Sequence, residues 1–111
     1  MNNTSVNQEE RMLVIKQIRN ELKKLSGQMT VARAQLLIEL ITLSQDLDER
    51  INAAEEIGRI CNQLNKDRSH RDSVLIGQKI SLLLETNIPL RVKNTLLPYK
   101  SAMTPLPRPK K

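Results

Sequence analysis

Leu36-Leu37-Ile38-Glu39-Leu40-Ile41-Thr42-Leu43-Ser44-Gln45-Asp46-Leu47 is the most apolar run in the chain, and its reading decides the fold. Leu36, Leu40, Leu43 and Leu47 recur at spacings of four, three and four, which lines one face of an α-helix. Leu37, Ile38 and Ile41 fall on the neighbouring sectors, so the apolar surface is wider than a single stripe. A helix covered on one side shows a polar opposite face. Here only Glu39, Thr42, Ser44 and Gln45 interrupt the apolar residues before Asp46, so this helix needs partners on two sides. One neighbour in the chain supplies the first; a second neighbour, or another copy of the protein, supplies the rest.

Working back toward Met1, residues 8–25 read as a first helix. Asn7 followed by Glu10 has capping-box spacing, and Met12, Ile15, Ile18, Leu22 and Leu25 form a seam with Val14 on its flank. Lys23 and Lys24 suit a helix C-terminus, and Gly27 suits the left-handed residue that closes it. Thr30 is the next N-cap, and so short a connection makes an αα-hairpin.

Working forward, the seam continues through Leu47, Ile51, Ala54, Ile57, Cys61 and Leu64, with no Gly or Pro from Gln28 to Ile57. The favoured expectation is one helix over residues 31–65, roughly 50 Å long at 1.5 Å per residue. The competing reading makes Asp46-Leu47-Asp48-Glu49 a capping box that opens a new helix. Residues 65–71 are wholly polar and read as a loop. Asp72 then caps a helix to residue 85 or 86 bearing Val74, Leu75, Ile76, Ile80, Leu83 and Leu84, and a short helix follows Pro89 over residues 90–97. The expected architecture is all-α: a helical hairpin with a long central helix, three to four helices, built into a dimeric bundle. Residues 1–97 are its domain, and residues 98–111, with alternate prolines and terminal Arg108, Lys110 and Lys111, a disordered basic tail.

Composition narrows the chemistry. Phe and Trp are absent and there is a single Tyr, so the core must be aliphatic. One Cys excludes an intramolecular disulfide, and with no signal-like segment near Met1 the expected setting is a reducing cytoplasm. The overlapping glycosylation sequons at Asn2 and Asn3 then read as a polar terminus. No apolar run approaches the roughly 20 residues that span a bilayer, so no membrane role is expected.

Catalysis has little to stand on. Cys61 lies on the apolar seam as a small hydrophobe, and His70 sits in a charged loop. One Cys and one His make no zinc pattern, no Glu-x-x-His pair offers a carboxylate metal site, and no Gly-rich loop offers a phosphate cradle. Neither cofactor nor small-molecule substrate is expected. Glu55-Glu56 and Asp46/Asp48/Glu49 read as solvated helix faces.

Charge and surplus apolar surface remain. The net charge of +6 divides into +2 over residues 1–29, −3 over residues 30–65 and +7 over residues 66–111. The basic third offers Lys66, Arg68, Arg71, Lys79, Arg91, Lys93, Lys100, Arg108, Lys110 and Lys111 to a polyanion such as nucleic acid, the alternative being a solvated, solubilising end. The two C-terminal helices and their Asn87-Ile88-Pro89 break resemble a helix-turn-helix in outline only, and without aromatics there is no stacking platform for single strands. Surplus apolar positions suggest self-association, with Leu36, Leu37, Ile38, Leu40, Ile41, Leu43 and Leu47 as the homodimer interface. Leu13, and Leu90, Val92, Leu96 and Leu97, could instead receive a partner protein's helix, or the whole set could complete a monomeric core. The leading expectation is a small non-catalytic regulatory or accessory protein that binds nucleic acid, and the alternative a protein-binding adaptor whose tail orders on a partner.

Overall fold

The computed structural model describes residues 3–67 and 70–100, with side chains from Gln8 onward and without that of His70. Among them the chain is all-helical: α1 (Asn3–Lys24), α2 (Val31–Leu43), α3 (Leu47–Lys66), α4 (His70–Leu84) and α5 (Leu90–Lys100). The expected long helix over residues 31–65 is therefore two helices, and the described helices number five rather than three or four.

The break at residues 44–46 is a set of satisfied polar groups. Ser44 leaves α2 with φ −72° and ψ 144°, and Asp46 caps α3, its Oδ1 accepting from the N–H groups of Asp48 at 3.0 Å and Glu49 at 3.5 Å. Ser44 Oγ accepts from the Asp46 N–H at 3.1 Å and donates to Glu49 Oε1 at 2.7 Å. Arg50 Nε donates at 2.9 Å to the Ile41 carbonyl, one of the oxygens left without a helical partner at the end of α2. The apolar seam runs across this corner without a phase jump, which is why periodicity alone favours continuity. The chain turns nonetheless, and Leu47 emerges 39% exposed.

The covering of α2 follows. α1, α3 and α4 all pack on it, and α3 in turn carries α4 and α5. Leu37, Leu40 and Ile41 are buried inside the single chain, while Leu36, Ile38 and Leu43 are partly buried against the same core. These residues, read from sequence as a homodimer interface, are thus largely occupied by α1, α3 and α4. Val92 and Leu96, assigned above to a surplus apolar set, are fully buried; Leu90 and Leu97 remain outside. Ala53, Ala54 and Gly58 let helices approach α3 closely, and the ring of Tyr99 lies against Gly58.

Other boundaries shift. α1 begins at Asn3, so Asn7 is a helical residue rather than the cap, and Met12 is 69% exposed although its spacing fits the seam. Gly27 takes φ +81° and Thr30 Oγ1 accepts from the Arg33 N–H at 3.3 Å, both as the sequence predicts. α4 starts at His70, which places Asp72 in its first turn instead of at its cap. α5 runs through Pro98 to Lys100, so three residues assigned to the tail are helical. The Tyr99 ring on α3 anchors that last turn. The remainder of the proposed tail, residues 101–111, lies outside the described residues.

Candidate nucleic-acid interface

The burial pattern of α4 sorts its cations outward. Ser73, Ile76, Gly77, Ile80 and Leu83 face the core, and Ser73 Oγ donates to Asn65 Oδ1 at 2.7 Å, tying the start of α4 to the end of α3. The opposite face carries Arg71, Leu75, Gln78 and Leu82, spaced four, three and four and all exposed. In α5, Val92 and Leu96 are buried, while Leu90, Arg91, Asn94, Leu97 and Lys100 are exposed. Lys93 and Lys100 stand seven residues apart on one flank of the Leu90–Leu97 ridge, with Arg91 on the other side.

The described ion pairs lie elsewhere. Arg19 Nε reaches Glu49 Oε2 at 2.8 Å, Arg33 Nη2 reaches Glu56 Oε1 at 2.9 Å, Arg59 approaches Glu56 at 3.9 Å and Lys24 approaches Glu21 at 3.5 Å. Among the described residues no carboxylate pairs with Lys66, Arg71, Lys79, Arg91, Lys93 or Lys100. Lys66 and Arg71 flank the α3–α4 corner, and Arg91, Lys93 and Lys100 share α5. Lys79 stands apart from both groups: it lines a groove of about 290 Å³ between α2 and α4, with Glu39 on the α2 side. Arg68, Arg108, Lys110 and Lys111 lie outside the described residues.

Part of what makes this surface distinctive is apolar. Leu82 is 66% exposed, and Val74 and Leu75 are 38% exposed each, so apolar side chains interleave with the cations. The signal was present: Leu75 and Leu82 are seven residues apart and out of phase with Ile76, Ile80 and Leu83.

A larger concavity, about 590 Å³ and open to solvent, lies among α1, α2 and α3. Arg19, Lys23 and Arg33 line it together with Asp46, Asp48, Glu49 and Glu56, a near balance of charge. The Arg19 fork bonds both Glu49 oxygens at 2.8 Å. That hydrogen bond, joined by the one from Ser44, holds the Glu49 carboxyl below its ordinary value and raises the Arg19 guanidinium. Arg19–Glu49 fastens α1 to the α2–α3 corner, and Arg33–Glu56 ties α2 to α3.

Cys61 is 2% exposed, and burial pushes its thiol up to about 11, so it stays protonated and a poor nucleophile at neutral pH. His70 opens α4; the reading of its side chain as solvated lies outside the described residues. Among the described residues no three His, Cys, Asp or Glu side chains group so as to hold a metal ion, and no helix is long and apolar enough to cross a membrane. Compared with family models, curated proteins and solved structures, the chain matches none.

Proposed function

We propose that this chain is a small non-catalytic regulatory or accessory protein that binds nucleic acid through its cationic C-terminal third. One observation carries the reading: the described ion pairs fall between Arg19 and Arg59, whereas Lys66, Arg71, Arg91, Lys93 and Lys100 pair with no carboxylate and are exposed or half-exposed. Unpaired cations on rigid helices neutralise phosphates with release of counterions, and that contribution is independent of base sequence. The buried, free Cys61 suits a reducing cytoplasmic setting.

Five phosphate contacts predict that log affinity falls with log salt at a slope of about −4 to −5. Arg91→Ala and Lys93→Ala each reduce the slope by about one unit and weaken binding to unrelated sequences alike. A gel-shift or fluorescence-anisotropy series on duplex DNA and on RNA measures it. No binding to either at about 20 mM salt removes the proposal.

The exposed Val74, Leu75, Leu82, Leu90 and Leu97 favour a second reading, an adaptor that docks an acidic amphipathic helix of a partner protein. That reading predicts salt-tolerant binding lost on Leu82→Asp or Leu97→Asp. Leu96 is fully buried, so its substitution would report on folding instead.

A further inference from the structure

Among the described residues α1 is the helix least covered by the rest of the chain. There its backbone packs against α2 alone, with the Arg19–Glu49 bond reaching the start of α3. Ile15 and Ile18 are buried on that side, and Leu22 is partly buried. From Gln8 to Val14 every residue is exposed, Met12 by 69% and Leu13 by 67%. Two large apolar side chains standing this far into water on a projecting helix mark a contact surface.

The charges beside them specify what covers it. Glu9, Met12, Leu13, Lys16 and Arg19 line one shallow concavity of about 530 Å³ on the outward side of α1; Arg19 is already bonded to Glu49, which leaves Glu9 and Lys16 as its unpaired charges. Glu9 and Lys16 are seven residues apart, about 10 Å along the axis at 1.5 Å per residue, too far to pair with each other. Among the described residues neither has an ion-pair partner. The pattern acid–apolar–apolar–base is complementary to itself when reversed. An antiparallel second copy sets Met12 on Leu13 and Glu9 against Lys16, and twofold symmetry makes each contact twice. A parallel copy would set Glu9 beside Glu9 and Lys16 beside Lys16.

We infer that the chain self-associates through α1, as an antiparallel helix pair centred between Met12 and Leu13, and not through α2. A contact centred on four side chains per copy is small beside the roughly 800 Å² per partner of a standard interface, so we expect weak association, on the order of 100 μM. It is independent of the nucleic-acid reading, because its residues lie outside the basic third.

Sedimentation velocity on the full chain, from about 5 μM to 1 mM, tests it. The wild type shifts from monomer to dimer mass across that range. Leu13→Asp weakens association at least about tenfold, since the substitution enters the contact twice. Glu9→Lys weakens it about fivefold, and Glu9→Lys with Lys16→Glu restores it, because the exchanged charges again face each other. All these positions are exposed, so far-UV circular dichroism should match the wild type in every variant. A wild-type monomer at 1 mM, a dimer indifferent to Leu13→Asp, or a double variant no better than Glu9→Lys would each overturn the inference. So would a monomer that instead binds an unrelated helical peptide through Met12 and Leu13.

Discussion

Arg33 is the one buried charged side chain among the described residues, 8% exposed, with Nη2 on both oxygens of Glu56 and its Nε without a partner there. Removing one member of such a pair leaves an uncompensated charge, which costs more than the pair itself contributes. Glu56→Ala should therefore destabilise the fold by about 2 kcal/mol, moderated by the partial exposure of Glu56, whereas Arg33→Met with Glu56→Leu should lie within about 1 kcal/mol of wild type. Urea unfolding of the three proteins measures the difference. Glu49 makes a pH prediction. The bonds from Arg19 and Ser44 hold its folded carboxyl below the unfolded value, so the folded state binds its proton more weakly. Its contribution to stability is then full above about pH 5 and lost as pH falls through the depressed folded value. Glu49→Gln should flatten the acid limb of a stability-against-pH curve. An unchanged limb would mean that the Arg19–Glu49 bond contributes nothing in solution.

At the scale of elements, the corner at residues 44–46 decides the fold, because it allows α3 to turn back along α2. Asp46 satisfies two N–H groups at the start of α3 and Arg50 one carbonyl at the end of α2. Asp46→Ala removes the cap while leaving the Arg50 bond in place. The expected loss is about 1 kcal/mol in urea unfolding, with little change in far-UV signal. A loss near zero would show that Ser44 and Arg50 hold the corner without it. The α4 and α5 helices present the opposite case, since their cations are placed by burial of the other face and not by any bond of their own. Charge substitutions there should change binding and leave stability within about 0.5 kcal/mol.

For the whole molecule, α5 is held on α3 through Val92, Leu96 and Tyr99, the last pressed on Gly58. A Cβ at Gly58 would meet the Tyr99 ring at 2.7 Å, at the far end of a side chain that can swing away. Gly58→Ala should therefore expel the ring, and the helix-propensity gain of about 1 kcal/mol offsets the lost contact. Tyr99 is the sole aromatic residue, so near-UV circular dichroism reads this event alone. Its signal should fall sharply with stability nearly unchanged. An intact signal would place the ring elsewhere. If α1 joins two copies, the assembly carries two basic surfaces, each held rigidly to its own α3.

The helices themselves were legible in the amino-acid order, because periodic apolar residues, Gly27 and Thr30 act within a turn or two of their own position. The basic third was equally plain, since charge needs no fold to be counted. Which apolar residues remain in water was not. Met12 shares the seam spacing of Ile15 and Ile18 yet is exposed, because burial depends on how far the neighbouring helix extends and where the chain turns. The corner at residues 44–46 was ambiguous because the seam continues across it in phase, and what settles it are the Asp46 cap and the Arg50 bond to the Ile41 carbonyl, with Arg19 reaching Glu49 across 30 residues of chain. Local pattern determined what could be a helix; only tertiary packing decided where α2 ended, what covered it, and which surfaces were left for a partner.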